Sequence, residues 1–138
     1  GLFALSAASY FDHVVGIEIN DKAIAEATAN AERNGVTNCK FQAASAENIF
    51  SVINDFPRDT TTVVLDPPRK GCSDDFLAQL KDFSPRRIVY MSCDVTTQAR
   101  DSAFILDAGY RITMVQPFDL FPQTRHIECL MVFERSDM

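Results

Sequence analysis

Short apolar runs alternate along this chain with longer segments whose apolar residues recur at helical spacing. The short runs predict strands and the longer segments predict helices, so the pattern indicates an α/β fold. The predicted strands are residues 14–18, 39–42, 61–65 and 87–91, and the predicted helices are 2–8, 21–34, 47–53, 74–83 and 97–108. Continuous apolar strands separated by helices favour a mainly parallel sheet that is covered on both faces.

The last two apolar runs, residues 110–115 and 127–133, have no helical pattern between them. They predict an antiparallel pair at the end of the fold. Ligands of parallel α/β sheets bind beyond the carboxyl ends of the strands. Asp66 and Cys93 each end a predicted strand, and an antiparallel last strand brings its own beginning, at Glu128, to the same edge. We therefore expect these three side chains to converge.

Composition limits what the chain can do. Its 138 residues, 46% of them hydrophobic, suffice for one core. The net charge of -6 argues against this chain being the main docking surface for a polyanion. Four scattered cysteines and two histidines favour neither a metal site nor a disulfide scaffold, and they fit reduced thiols in an intracellular protein. No apolar run approaches the roughly 20 residues that span a bilayer, so we expect a soluble protein without a membrane partner.

Cys93 and Glu128 are the candidates for covalent chemistry. A helix predicted to begin near Thr96 or Thr97 would favour the Cys93 thiolate through its dipole and free amides. Glu128 interrupts an apolar stretch, where desolvation would raise its pKa and suit it to proton abstraction. The structural alternatives are a small buried cysteine and a strand-end acid that faces water.

Two other acids stand at predicted strand ends. Glu18 ends the first predicted strand, where nucleotide-binding folds place an acid that accepts hydrogen bonds from ribose hydroxyls. Asp66 is followed by Pro67 and Pro68, which fix a rigid loop that can present its carboxylate. The alternatives are a solvated carboxylate for Glu18 and a proline-rich turn that only ends the strand.

An aromatic segment lies between the last two predicted strands. Phe118, Phe121 and Pro122 would suit the stacking of a flipped base, and core packing of the hairpin explains them nearly as well. Arg100 and Asp101, in the helix after Cys93, are expected to form a simple ion pair that steadies this helix.

Three motifs in order resemble the RNA uridine carbon-5 methyltransferases, and most of all the tRNA enzymes of fungal type. They are Asp66-Pro67-Pro68-Arg69-Lys70-Gly71, then Ser92-Cys93 continuing to Thr97-Gln98-Ala99-Arg100-Asp101, then Asp119 to Glu128 with the sequence Asp-Leu-Phe-Pro-Gln-Thr-Arg-His-Ile-Glu. The resemblance covers nearly the whole chain and implies a Rossmann-like fold that uses S-adenosylmethionine. It also implies an RNA substrate, with tRNA favoured and ribosomal RNA possible, and no obligate protein partner.

The resemblance also implies a role for individual residues. Cys93 matches the nucleophile that adds to carbon 6 of uracil, and Glu128 matches the base that removes the proton from carbon 5. Glu18, Ser45 and Asp66 match cofactor-binding positions, and no position matches a metal ligand.

The chain departs from the family pattern at two places. Asp94-Val95 follows the nucleophile where Asn-Pro is frequent, and Ser45 stands where an Asn or an acid is common. Gly1 and Leu2 resemble the tail of a glycine-rich cofactor loop. We therefore expect residues 1–138 to be a catalytic domain that lacks the first strand of the cofactor site and an upstream RNA-binding region, and to be inactive alone.

Other functions remain open from the residues. An RNA base N-methyltransferase also carries an Asp-Pro-Pro loop but needs no cysteine. A non-catalytic Rossmann-like domain that binds RNA or a partner protein would not need Cys93 and Glu128. A nicotinamide dehydrogenase is less favoured, because no Gly-x-Gly-x-x-Gly motif is visible.

Overall fold

The computed structural model describes residues 1–136 and divides the chain into two compact units. The first unit is Gly1–Asn54, and the second begins at Asp55. Within the described residues, no helix is both long and apolar enough to cross a membrane.

The first unit is a strand–helix–strand arrangement with short helices at its two ends. Its elements are α1 (Leu2–Ala7), β1 (Val14–Glu18), α2 (Asp21–Arg33), β2 (Cys39–Ala43), a 3-10 turn (Ala46–Asn48) and α3 (Ile49–Val52). Strands β1 and β2 pair in parallel, as the intervening helix requires. The side chain of Asn20 caps α2 by accepting hydrogen bonds from the amides of Lys22 and Ala23.

The second unit contains a four-stranded mixed sheet with two longer helices. Its elements are a 3-10 turn (Arg58–Thr60), β3 (Thr62–Leu65), α4 (Asp74–Phe83), β4 (Arg87–Ser92), α5 (Val95–Asp107), β5 (Tyr110–Phe118) and β6 (Glu128–Arg135). The strand order is β3-β4-β6-β5. Strands β3 and β4 are parallel, whereas β6 runs antiparallel to both of its neighbours.

The core of the second unit follows the alternation of its central strands. Every second residue of β4 and β6 is buried, and Ile88, Tyr90 and Phe133 are completely so. Buried residues of α4 recur at helical spacing, and α5 contributes Ile105 together with several polar side chains. Gln98, at 2% exposure, donates from Nε2 to the carbonyls of Tyr90 and Cys129, each at 3.1 Å. One side chain of α5 therefore braces both β4 and β6.

The structure confirms the predicted α/β alternation and the antiparallel last strand. The helix expected over 47–53 is instead a 3-10 turn followed by a single α-helical turn. Helix α5 begins at Val95 rather than at Thr97, because Asp94 is its N-cap. Strand β5 continues past Val115 to Phe118, and Pro117 is tolerated because β5 is an edge strand.

We predict that Ile→Ala lowers the free energy of unfolding by very different amounts at two positions of this sheet. Ile88→Ala, at a completely buried position of β4, should lower the free energy of unfolding by about 2–5 kcal/mol. Ile112→Ala, on edge strand β5 where the side chain is 40% exposed, should cost less than about 1 kcal/mol. Urea unfolding of both variants measures the difference, and equal costs would contradict the assigned core.

Candidate active site

The pairing of β4 with β6 brings Cys93 beside Glu128. Their antiparallel register ends with Ser92 opposite Cys129. Continued by one residue, the same register sets Cys93 opposite Glu128, the first residue of β6. Directly opposite residues of an antiparallel pair project from the same face and have Cβ atoms about 4.5–5.5 Å apart. This continuation of the register predicts that the thiol and the carboxylate share one face at this edge.

Asp66 lies at the same edge, one strand away. The parallel register of β3 with β4 ends with Leu65 opposite Tyr90, so Asp66 follows opposite Met91. Leu65, Tyr90 and Cys129 are buried on the face that α5 covers. Asp66 directly follows β3, so strand alternation continued by one residue predicts that it lies on the other face, the face predicted for Cys93 and Glu128.

The polar groups of Asp66, Cys93 and Glu128 are free to bind a ligand. Within residues 1–136, no hydrogen bond or ion pair engages the two carboxylates or the thiol. Cys93 and Glu128 are half-buried, and Asp66 is exposed as a residue. Partial burial of its carboxyl group nevertheless raises the pKa of Asp66. Acids and a thiol that are partly desolvated but uncommitted are typical of a reaction or binding site.

The turn that carries Cys93 is fixed on both sides. The Ser92 hydroxyl donates to the carbonyl of Asp94 at 2.8 Å and accepts from its amide at 3.0 Å. Asp94 Oδ1 then accepts from the amides of Thr96 and Thr97 at 2.9 and 3.3 Å. These amides were expected to be free for the Cys93 thiolate, and the structure gives them to Asp94. What remains for Cys93 is its position at the N-terminal end of α5.

The loop after Asp66 closes in a tight turn beside this edge. The Gly71 amide donates to the Pro68 carbonyl at 2.9 Å, and Gly71 has a φ of +78°, which glycine adopts without strain. Arg69 Nη2 lies 3.4 Å from His126 Nδ1. This contact connects the loop after β3 with the segment that leads into Glu128.

Asp101 is a functional candidate that the sequence reasoning assigned to a simple ion pair. It does pair with Arg100, at 2.7 Å, but its side chain is completely buried and also holds the loop after Asp66. The signal was present in the sequence, because Gln98, Asp101 and Ser102 fall with Ile105 on one helical face. Polar residues on the buried face of a helix require partners.

The other three cysteines are poor nucleophiles. Burial raises the pKa of the thiols of Cys39 and Cys129. Burial, together with the charge of Asp101, raises the pKa of Cys72 to about 12. Among residues 1–136, no cluster of His, Cys, Asp and Glu side chains could hold a metal ion.

The segment between β5 and β6 exposes its aromatic side chains. Phe118 is 43% and Phe121 54% exposed, so packing within the hairpin does not account for them. The Phe121 carbonyl accepts from the Thr124 amide and hydroxyl, which fixes a turn in which Gln123 has a φ of +66°. Both rings are exposed to solvent, and Phe118 is paired with Glu128 across β5 and β6.

The first unit holds Glu18 and Ser45 at its strand ends. Glu18 Oε1 accepts from the amides of Ile19 and Asn20 at 2.9 and 3.2 Å, whereas no hydrogen bond within the described residues engages Oε2. Ser45 lies after β2, and its hydroxyl accepts from Asn48 Nδ2 at 3.0 Å. Glu18 is thus oriented by the backbone amides that follow it, with one oxygen available, and the Ser45 hydroxyl keeps its proton and one lone pair for further bonds.

We predict that Cys93 is the most reactive of the four thiols in the folded protein. The other three have raised pKa values, and two of them are buried, so at pH 8 they carry little thiolate. Brief treatment with iodoacetamide, followed by mass spectrometry of tryptic peptides, should show alkylation first at Cys93. Faster labelling of Cys39, Cys72 or Cys129 would contradict the assignment.

Comparison with known proteins identifies the family of the chain. A model of the tRNA (uracil-5-)-methyltransferase family matches residues 1–136. The tRNA (uracil(54)-C(5))-methyltransferases of Schizosaccharomyces pombe and Saccharomyces cerevisiae are 45% and 41% identical over 98% of this chain. This chain covers 26% and 22% of those two proteins, so it spans about a quarter of the length of the curated relatives it matches.

A solved structure extends the match to three dimensions. Pyrococcus abyssi tRNA (uracil-54, C5)-methyltransferase, in complex with S-adenosyl-L-homocysteine, superposes with a TM-score of 0.80 and 32% identity. The match covers 96% of this chain and 31% of that one, and it confirms the Rossmann-like methyltransferase fold. Together with the family match, it confirms the resemblance noted from the motifs. The chain belongs to the tRNA (uracil-5-)-methyltransferase family.

Proposed function

We propose that the protein containing this chain methylates carbon 5 of a uridine in tRNA, through a covalent bond between Cys93 and the uracil. The observation that supports this proposal is the β4–β6 register, which ends with Ser92 opposite Cys129 and, continued by one residue, brings the Cys93 thiol opposite the Glu128 carboxylate. Methylation of an exocyclic nitrogen would require neither group, so their juxtaposition favours carbon-5 chemistry.

Cys93 performs the first and last steps. Carbon 5 of uracil is a poor nucleophile, and addition of the Cys93 thiolate to carbon 6 breaks the 5,6 double bond and moves its electron pair toward carbon 5. Bound S-adenosylmethionine supplies the electrophilic methyl group that this carbon takes. When the carbon-5 proton has been removed, the double bond re-forms and the bond between Cys93 Sγ and carbon 6 breaks, which returns the thiolate.

Glu128 is the base that removes the carbon-5 proton. If the β4–β6 register continues by one residue, its carboxylate lies on the same face of the sheet as Cys93 and can approach the carbon adjacent to the one that the sulfur holds. No partner among the described residues competes for it, and its half-buried position limits its hydration. Asp66 is the alternative base, since it follows β3, the strand that pairs with β4 on the side away from β6.

The residues present fit the cofactor. Glu18 offers one carboxylate oxygen that is free to accept from ribose hydroxyls, while the backbone amides of Ile19 and Asn20 hold the other. In the second unit, Asp66 is an uncommitted acceptor at the carboxyl end of β3. Ser45 keeps one donor proton, a weaker fit than the acid or Asn that is common at its position. We propose Glu18 and Ser45 of the first unit, and separately Asp66 of the second unit, as contacts of S-adenosylmethionine.

The aromatic segment and the net charge bear on how RNA is bound. The exposed rings of Phe118 and Phe121 are suited to stack on an unpaired base beside Glu128. The net charge of -6 makes this chain a poor primary surface for phosphates, so regions outside residues 1–138 should supply most of the electrostatic affinity. Because tRNA is made and used within cells, we expect the protein to be intracellular.

We predict opposite trapping behaviour for two variants of the full-length protein. Cys93→Ala should abolish methylation and form no covalent RNA complex, because no other group activates carbon 5. Glu128→Gln should accumulate methylated tRNA attached to Cys93, because the carbon-5 proton then has no acceptor. A denaturing gel with labelled tRNA should show a slow protein–RNA band for Glu128→Gln alone.

The control for this experiment is the double variant, in which Cys93→Ala should remove the band produced by Glu128→Gln. Normal turnover by Glu128→Gln without a trapped species would show that Glu128 is a structural acid. The base would then be sought first at Asp66.

We predict that Glu18→Gln weakens cofactor binding without disabling the chemistry. The amide halves the acceptor capacity of this side chain, so KM for S-adenosylmethionine should rise about 10- to 100-fold while kcat changes little. Steady-state kinetics of the full-length protein measure both constants. Glu26→Gln, an exposed position on α2, is the matched control and should leave KM unchanged; an unchanged KM for Glu18→Gln would remove Glu18 from the cofactor site.

A further inference from the structure

A completely buried carboxylate lies under the loop that follows Asp66. Asp101, on α5, is 0% exposed and accepts hydrogen bonds from four donor groups. Oδ2 accepts from the Cys72 amide at 2.8 Å and from the Tyr90 hydroxyl at 2.7 Å, and Oδ1 accepts from Arg100 Nε and Nη2 at 2.9 and 2.7 Å. This is more than an ion pair within one helix, because one of the donors belongs to the backbone of a loop 29 positions upstream.

Helix α5 holds this loop, residues 66–72, at several backbone atoms. Besides the Cys72 amide, the carbonyls of Lys70 and Cys72 accept from Arg100 Nη2 at 3.0 and 3.1 Å. The carbonyl of Arg69 accepts from the Thr97 hydroxyl at 2.8 Å. All of these contacts engage main-chain groups of the loop, so they fix its path independently of its side chains.

The loop lies so close to α5 that only glycine fits at its turn. A Cβ atom on Gly71 would lie 2.6 Å from Arg100 Nη2 and 2.7 Å from Asp101 Oδ2. A third contact, to Thr97 Cβ, would be 3.1 Å. The absent side chain therefore allows the carboxylate and the guanidinium to approach the loop backbone.

The groups around Asp101 keep their protons, so the Asp101 carboxylate accepts their hydrogen bonds. Burial and the hydrogen bond to Asp101 raise the pKa of Tyr90, so its hydroxyl keeps its proton. Burial, with the charge of Asp101, does the same for the Cys72 thiol. The hydrogen bond to Asp101 also raises the pKa of Arg100, which stays cationic. The two neutral groups and the cationic guanidinium therefore add no second negative charge beside the Asp101 carboxylate.

We propose that Asp101 is a positioning residue that fixes loop 66–72 against α5, and thereby holds Asp66 and Arg69 in register with Cys93. The inference rests on the proposed function for what the loop does, since Asp66 is there a cofactor contact. Whether Asp101 fixes the conformation of the loop can be tested without measuring activity. Pro67 and Pro68 transmit the constraint, because their fixed φ angles leave little freedom between Asp66 and the anchored residues.

Trypsin reports the loop directly, because it cleaves after Arg69 and Lys70. Asp101→Asn keeps the shape of the side chain but replaces one acceptor oxygen by an amide that cannot accept. In the full-length protein, cleavage at these two bonds should accelerate about tenfold or more, the factor expected for losing a hydrogen bond to a charged group. Cleavage after Lys81 and Arg111 in the same digest serves as the reference and should not accelerate.

Ser102→Ala is the matched control, because Ser102 is the next residue of α5, is also buried, and bonds to Gln98 and Met131 and not to the loop. It should leave cleavage after Arg69 and Lys70 unchanged. If Asp101→Asn does not fold, Arg100→Gln provides the second variant, since its exposed guanidinium holds the loop carbonyls and cleavage should again accelerate at these two bonds. Unchanged cleavage in both variants, or equal acceleration at the reference sites, would overturn the proposal.

Steady-state kinetics test whether fixing the loop matters for cofactor binding. Asp101→Asn should raise KM for S-adenosylmethionine about 10- to 100-fold at a temperature where both proteins are folded, and Ser102→Ala should not. Gly71→Ala disturbs the same loop, so its effect on KM and that of Asp101→Asn should be non-additive. Additive effects of the two substitutions on KM would refute the positioning role. So would an unchanged KM in Asp101→Asn together with faster cleavage of the loop. If the wild-type protein does not methylate uridine, the proposed function fails, and the trypsin result still decides whether Asp101 holds the loop.

Discussion

The antiparallel pairing of β4 with β6 is the constraint on which the candidate site depends. Its register sets Cys93 opposite Glu128, and a slip of one residue would turn Glu128 to the other face of the sheet. Buried Tyr90 and Phe133 oppose such a slip, because it would expose the apolar set of each strand. Gln98 adds a bond to a carbonyl of each strand, so α5 holds the pair as well as covering it.

The same helix also determines where the loop after β3 lies. Asp101 is a buried charge whose partners are all present, and removing a partner from such a group typically costs about 3–5 kcal/mol. The sheet therefore supplies the positions of Cys93 and Glu128, whereas polar contacts of α5 supply the position of loop 66–72. Helix α5 begins at Val95, two residues after Cys93, so the end of β4, the helix N-cap and the residues that anchor the loop belong to one continuous segment.

Much of this arrangement could be predicted from the sequence, because it depends on local patterns. Hydrophobic alternation located β4 and β6, and the absence of a helix between β5 and β6 indicated their antiparallel pairing. The role of Asp101 could not be recognised from its neighbour Arg100, since its other partners are distant in the chain. The sequence pattern predicts that α5 starts near Thr96 or Thr97, whereas the helix begins at Val95. Asp94 is the N-cap, and aspartate is a preferred residue at that position.

The most direct test of the account identifies the atom that bonds the RNA. Fluorine at carbon 5 cannot be removed as a proton, so a tRNA containing 5-fluorouridine should stop the reaction with the protein still attached. Digestion of that complex and mass spectrometry of the cross-linked peptide should locate the nucleotide on Cys93. Attachment through Cys39, Cys72 or Cys129, or turnover that leaves no attached nucleotide, would contradict the covalent role assigned to the residue opposite Glu128.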